Sequence, residues 1–299
     1  MTTDLPALLV EATARLLAAG VASPRHDAEV LATHVLGVER GALSSVRVLT
    51  PRQQDDLDAL VRRRESREPL QYLTGRAPFR YLDLVVGPGV FIPRPETEVM
   101  TGVAIDELRR VVDTGTSPLA VDLCTGSGAV AVSLATEVPS THVVGLEISP
   151  DAAAYAEQNA RGVDVDVRVG DLADGRRLLA DLAGRAHVVT ANPPYIPLDA
   201  WESVDEEART HDPDVALWSG DDGLDAIRLV ADVAADLTVD GGLVVCEHAD
   251  VQGEAAPQVF VDTGLWAEVR DHRDLAGRPR FVSARRVART GTTAGTIEP

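Results

Sequence analysis

Leu119-Ala-Val-Asp-Leu-Cys-Thr-Gly-Ser-Gly-Ala-Val-Ala131 reads as a strand, a tight glycine turn and the start of a helix. Glycines at 126 and 128 allow close approach to the backbone, and the amides of the helix that follows offer hydrogen-bond donors. Outward from this stretch, short apolar strands alternate with amphipathic helices: His142 to Glu147, Val163 to Val169, His187 to Ala191, Gly242 to Glu247, Trp266 to Asp271 and Arg280 to Ser283. That alternation predicts an α/β domain with a mostly parallel sheet covered by helices. The last two strands are separated only by Leu275-Ala-Gly-Arg-Pro279, too short for a crossover helix, so they are expected to pair antiparallel.

Upstream, Leu5, Leu8, Leu9, Ala12, Leu16 and Leu17 recur at helical spacing, and Ser23-Pro24 supplies a cap and first-turn proline for a second helix. Thr50-Pro51-Arg52-Gln53 has the form of a capping box opening a third. Arg62-Arg63-Arg64 reads as an exposed helix face, the alternative being a patch for a partner. Phe79 to Val86 and Val90 to Ile92 are β-rich pieces with a hairpin signal at Gly87-Pro88-Gly89, followed by the stiff Pro93-Arg94-Pro95. The expected organisation is a helical domain over 1–75, a β-hairpin linker over 76–97, an α/β domain over 98–287 and a disordered tail over 288–299.

The 299 residues carry 28 basic and 47 acidic side chains, a net charge of −19, and every basic residue is arginine because the chain has no lysine. With 45% apolar residues the chain can build a core, yet no apolar run reaches the roughly 18 to 20 residues a bilayer needs. Two cysteines, Cys124 and Cys246, cannot form a disulfide framework, and the N-terminus lacks the pattern of a secretory signal, so a cytoplasmic location is expected. The acidity disfavours direct binding to a phosphate backbone. The seven histidines show no metal-ligand spacing, and no metal is expected.

Glu147, at a strand end about 20 residues beyond the loop, suits a bidentate grip on both hydroxyls of a ribose. Gly126-Ser-Gly128-Ala-Val-Ala131 also fits the loose dinucleotide pattern, so the loop alone leaves a nicotinamide cofactor and S-adenosylmethionine both open. Asp122 has two readings: a carboxylate satisfied by the loop's own amides, or one that orients the loop and attracts a cationic methionyl group. Asp171 can accept from the amino group of adenine or simply cap a helix. Cys246 reads as a small core residue, and Glu247 with His248 as a surface pair, with a place lining the site as the alternative.

Asn192-Pro193-Pro194-Tyr195 decides the chemistry. It follows the fourth strand at the edge where an open parallel sheet binds ligands, and two prolines remove donors while fixing the chain. Two acceptors, the Asn192 side-chain oxygen and the Pro193 carbonyl, can hold both protons of a planar NH₂ group and aim its lone pair at a methyl sulfonium. Tyr195 can cover the planar group and exclude water. No acid, base or metal is required.

The same residues, with Glu68-Pro-Leu-Gln-Tyr-Leu-Thr-Gly75 and Phe91-Ile-Pro-Arg-Pro-Glu-Thr-Glu98, resemble the release factor glutamine methyltransferase family over roughly Leu5 to Arg285. The resemblance implies a class I S-adenosylmethionine-dependent methyltransferase fold, Rossmann-like, with a seven-stranded sheet and an antiparallel last strand. Asp122, Cys124, Thr125, Gly126, Ser127, Gly128, Glu147, Asp171, Leu172 and Asn192 would bind the cofactor, with Arg94 and Thr97 near its methionyl end. Asn192, Pro193, Pro194 and Tyr195 would bind the substrate glutamine, and Asn192, Pro193 and Tyr195 would act on it. The implied substrate is the Gly-Gly-Gln glutamine of class 1 peptide chain release factors, methylated on its N5 nitrogen, and a monomer is expected. Cys124 stands where many family members have glycine, and Glu147 replaces the commoner Asp. The main rival is an adenine amino-methyltransferase acting on DNA or RNA, against which the charge of −19 argues. A nicotinamide-dependent dehydrogenase is favoured only by the glycine loop, and a non-catalytic module would have no use for both motifs. Asp199 to Asp214, with seven acids, reads as a solvated loop or as a stretch that steers a basic protein.

Overall fold

A computed structural model describes residues 3–201 and 206–288. The chain divides into two units, Met1–Ala77 with Val85–Ile92 and Glu202–Pro213 in one, and Pro78–Leu84 with Pro93–Trp201 and Asp214–Pro299 in the other.

The first unit is helical because its leucines fall on one face of each element. A two-strand pairing of β1 (Thr3–Asp4) with β2 (Val48–Leu49) accompanies α1 (Leu5–Ala18), α2 (Pro24–Leu36), α3 (Pro51–Glu65) and α4 (Leu70–Thr74). Leu5, Leu16, Leu31, Leu49 and Val61 are all buried at its centre. The capping box forms as expected: the Gln53 amide donates to the Thr50 hydroxyl (3.3 Å) and the Thr50 amide to the Gln53 side-chain oxygen (2.9 Å). Ser23 holds the N-cap position of α2 but makes no side-chain cap bond.

The arginine run is not a uniformly exposed face. Arg64 is 5% exposed, its Nε donating to Asp27 (2.8 Å), its terminal nitrogens to Glu207 (2.8 Å) and the Glu68 carbonyl (3.1 Å). Arg67 donates to the same Glu207 carboxylate at 3.0 Å. A buried guanidinium needs this many acceptors to offset desolvation. The acidic stretch therefore contains at least one residue, Glu207 on the helix Glu206–His211, that serves the helical unit rather than lying free in solvent.

The expected hairpin exists but turns elsewhere. Strands β3 (Arg76–Phe79) and β4 (Leu82–Val85) pair around Arg80-Tyr81, and Val90 to Ile92 is not a strand. Arg80 adopts a positive φ of 51°, and its guanidinium donates to Glu137 at 2.5 and 2.9 Å while its backbone amide donates to Glu98 at 3.0 Å. Tertiary anchoring replaces the glycine that such a turn ordinarily uses.

In the second unit, α5 (Thr97–Asp113) precedes β5 (Leu119–Leu123), α6 (Ala129–Glu137), β6 (His142–Glu147), α7 (Pro150–Asn159), β7 (Val165–Val169) and β8 (Ala186–Ala191). Strands β9 (Thr238–Glu247), β10 (Trp266–Arg273) and β11 (Pro279–Arg286) complete a sheet ordered β10-β11-β9-β8-β5-β6-β7. Only β11 runs against the direction of the other six strands, so the expected seven-stranded class I methyltransferase sheet with an antiparallel last strand is present. Every residue of β5 is buried, as a strand covered on both faces requires. The chain builds outward from β5 through β6 to β7, then returns to place β8 and β9 on the other side. The order thus reverses between β5 and β8, whose carboxyl ends carry Cys124–Gly128 and Asn192–Tyr195. Among the described residues no helix is long and apolar enough to cross a membrane. The tail expected over 288–299 lies outside the described residues apart from Ala288.

Candidate active site

The glycine loop is a left-handed staircase. Cys124, Gly126 and Gly128 have φ of 62°, 56° and 78°, so a side chain sits at Cys124 in a conformation that glycine adopts more readily. A Cβ on Gly126 would meet no protein atom within 4 Å, whereas one on Gly128 would lie 3.2 Å from the Ala156 Cα on α7. Gly126 thus leaves an open surface of backbone, while Gly128 serves close packing of the loop against a helix. Open backbone at a helix start, at the reversal of strand order, is what a nucleoside cofactor needs.

Below the loop, Asp122 is 1% exposed and accepts from the Thr125 and Thr190 hydroxyls, both at 2.6 Å. Hydroxyls, more than the loop amides, therefore satisfy it. Burial raises its pKa to about 6 against the lowering effect of those hydrogen bonds. Glu147 receives the Gly126 amide on one carboxylate oxygen (2.8 Å) and the Ser149 amide on the other (2.9 Å). Its pKa is raised by burial and held back by those amides. A carboxylate has about four acceptor sites, so the amides of Gly126, Ser149 and Ile148 leave room for a ligand hydroxyl. The Cys124 thiol is pushed well up by burial and by the neighbouring carboxylates, so it is a protonated, unreactive group. Ser127 is buried, its carbonyl accepting from Asn159 at 2.9 Å.

The second cluster gathers at the end of β8. Asn192 donates its Nδ2–H to the Thr97 hydroxyl at 3.3 Å, and Thr97 donates to a Glu247 carboxylate oxygen at 2.7 Å. Tyr195 donates its phenol to the other Glu247 oxygen at 3.3 Å. Among the described residues no donor engages the Asn192 Oδ1 or the Pro193 carbonyl, so both acceptors singled out in the sequence are available. Gln252 braces the motif by donating to the Tyr195 carbonyl at 3.0 Å. Gly223 lies so close to that carbonyl that a Cβ there would approach it to 2.4 Å.

Glu247 and His248 are not a surface pair. Glu247 is 1% exposed and His248 0%, the latter hydrogen-bonded to the Ala249 carbonyl (2.8 Å) and Asp271 (3.1 Å). Burial raises the Glu247 carboxyl to about 7, opposed by Thr97, Arg280 and Tyr195. Burial and the adjacent Glu247 raise the Tyr195 phenol far above its ordinary value. A charged residue closing an apolar strand beside β8 was the available signal for this role. Cys246 is buried, as expected.

The remaining candidates divide. Thr97 is buried in the second cluster, and its amide donates to the Arg94 carbonyl at 3.2 Å. Leu172 is buried, but Asp171 is exposed and accepts from the Ala173 amide at 2.8 Å, the capping alternative. Among the described residues the Asp171 side chain is hydrogen-bonded to neither cluster, but its charge is felt at Cys124 in the loop. Its neighbour Gly170 links the end of β7 to the Glu147 carbonyl at 2.8 Å.

Residues 7–75 match the family described as PrmC N-terminal domain, and residues 120–211 match a methyltransferase domain. The chain is 51% identical over 288 residues to the release factor glutamine methyltransferase of Streptomyces coelicolor, covering 94% of this chain and 98% of that one. It is 44% identical to the release factor glutamine methyltransferase of Mycolicibacterium smegmatis, covering 96% and 100%. A 4-amino-L-phenylalanine/4-methylamino-L-phenylalanine methyltransferase of Streptomyces pristinaespiralis is 40% identical over 275 residues, covering 89% and 91%. The chain is an S-adenosylmethionine-dependent methyltransferase. It belongs to the release factor glutamine methyltransferase family.

Proposed function

We propose that this protein methylates the N5 side-chain nitrogen of the glutamine in the Gly-Gly-Gln motif of class 1 peptide chain release factors, in the cytoplasm, and so modulates translation termination. The observation that carries the proposal is the pair of unengaged acceptors, Asn192 Oδ1 and the Pro193 carbonyl, at the carboxyl end of β8 beside the glycine loop. An amide nitrogen is a poor nucleophile because its lone pair is delocalised into the carbonyl. S-adenosylmethionine, when bound, supplies a methyl group on a sulfonium. Asn192 and Pro193 accept the two N–H bonds of the substrate amide, orient the nitrogen and favour the positive charge that develops on it. Pro194 keeps the turn rigid, and the Tyr195 ring limits water at the planar group.

On the cofactor side, Gly126 offers open backbone, Gly128 and Ser127 hold the loop against α7, and Glu147 has carboxylate lone pairs for the ribose. Cys124, Thr125 and Asp122 shape the loop, while Leu172 and Asp171 supply the adenine end, and Arg94 and Thr97 the methionyl end. Residues 1–75 form the recognition domain for the release factor, and 76–97 the linker.

A second reading has one observation in its favour: the Streptomyces pristinaespiralis relative is named for a ring amine, which is also a planar NH₂ group. The identity over nearly full length to proteins named for release factors favours glutamine. Labelled methyl transfer offered side by side to a release factor, 4-amino-L-phenylalanine and unmethylated DNA tests the choice. Incorporation confined to the release factor is expected; incorporation only into the amine or the DNA overturns it.

A further inference from the structure

Glu247 lies 150 residues from Thr97 and 52 from Tyr195 in sequence, yet one carboxylate joins both, and no step of the proposed reaction uses it. Above about pH 7 the Glu247 carboxyl is ionised, and an ionised carboxylate accepts and never donates. Its two oxygens therefore compel the Thr97 hydroxyl and the Tyr195 phenol to point their protons at it. Thr97, having spent its only proton, meets Asn192 with a lone pair, and only the NH₂ end of the Asn192 carboxamide can satisfy that lone pair. The oxygen end of Asn192 must then face away from Thr97.

We propose that Glu247 is a positioning residue that sets, through Thr97, the polarity of the Asn192 carboxamide and so keeps its Oδ1 presented as an acceptor for the substrate NH₂ group. This rests on the reading of Asn192-Pro193-Pro194-Tyr195 as a cradle for a planar NH₂. A carboxamide rotated by half a turn would offer a donor to a donor. Asparagine is nearly symmetric in shape, so packing alone discriminates poorly between the two orientations, and hydrogen-bond polarity must decide. Burial makes the device strong: Thr97 is 3% and Glu247 1% exposed, so water does not substitute for a missing partner. The same carboxylate holds the Tyr195 phenol, tying the two ends of the tetrad to one fixed acceptor.

Glu247→Gln tests this with nearly unchanged volume. One arm of the side chain becomes a donor, so either Thr97 or Tyr195 must reverse its hydroxyl. Binding of a Gly-Gly-Gln peptide in the presence of S-adenosylhomocysteine, methyl transfer, and the isotope-labelled Asn192 side-chain amide resonance are measured in parallel at about pH 8, above the Glu247 titration. Glu247→Gln and Thr97→Val should each weaken peptide binding and kcat/KM by about 10- to 100-fold and shift the Asn192 amide resonance. Cofactor affinity and the thermal midpoint of Glu247→Gln should stay near wild type. Thr97→Ser, which keeps the hydroxyl, should recover most of what Thr97→Val loses. Unchanged peptide binding and an unmoved resonance in both Glu247→Gln and Thr97→Val overturn the relay. If wild-type protein methylates no glutamine, the substrate reading fails, and the resonance, which needs no substrate, still judges the relay by the same criterion.

Discussion

Two alanine substitutions two residues apart separate a cofactor cradle from a structural turn. At Gly126 the added methyl meets no protein atom within 4 Å, so the apoprotein bears only the left-handed backbone at φ 56°, a cost of about 1–2 kcal/mol. At Gly128 the same backbone cost is joined by contacts of 3.2 Å to the Ala156 Cα and 3.3 Å to its Cβ. Overpacking adds about 1–3 kcal/mol there, so Gly128→Ala should lose about 2–5 kcal/mol of stability. Cofactor affinity should be hit by both, for different reasons. If S-adenosylmethionine lies on the open face of Gly126, a methyl group intruding by the same 1–3 kcal/mol weakens binding by about 5- to 150-fold with little loss of fold. Urea denaturation gives the first quantity and calorimetric titration of the cofactor the second. A Gly126→Ala protein that binds S-adenosylmethionine as tightly as wild type would refute the cradle and return the loop to a packing role.

Other consequences follow from single contacts. Asn192→Ala should lower kcat by about 10²-fold while cofactor affinity changes little, as steady-state kinetics with calorimetry will read. Arg64→Met should cost about 3–5 kcal/mol in urea denaturation because Asp27 is left buried without its cation; a loss below about 1 kcal/mol would contradict the buried pairing. Asp122 titrates in the folded chain at about 6 instead of 3.8, so its contribution to stability is full below about pH 4 and lost as pH rises through 6. The stability of wild type relative to Asp122→Asn should therefore fall by about 2 kcal/mol between pH 4 and 7, and a flat difference would sink the assignment.

The sheet was legible because its signals are local. Leu119 to Ala131 shows strand, turn and helix in thirteen consecutive residues, and the short gap between β10 and β11 forces their antiparallel pairing. Asn192 to Tyr195 is likewise contiguous, and chain order places it at the sheet edge beside the loop. Three features resisted reading because their causes act through space. The turn at Arg80 carries no glycine and is held by Glu98 and Glu137. Arg64 looks like its neighbours Arg62 and Arg63 until Asp27 and Glu207 close on it, the latter 143 residues away. Glu247 reads as the polar end of an apolar strand, and only the register of β9 beside β8 brings it between Thr97 and Tyr195.

Site-resolved mass spectrometry of a release factor incubated with the protein and S-adenosylmethionine tests the central claim most directly. One added methyl group on the Gly-Gly-Gln glutamine is predicted, disappearing when that glutamine is replaced and falling about 10²-fold with Asn192→Ala. Methylation that persists after replacement of the glutamine, or that is indifferent to Asn192, would contradict it.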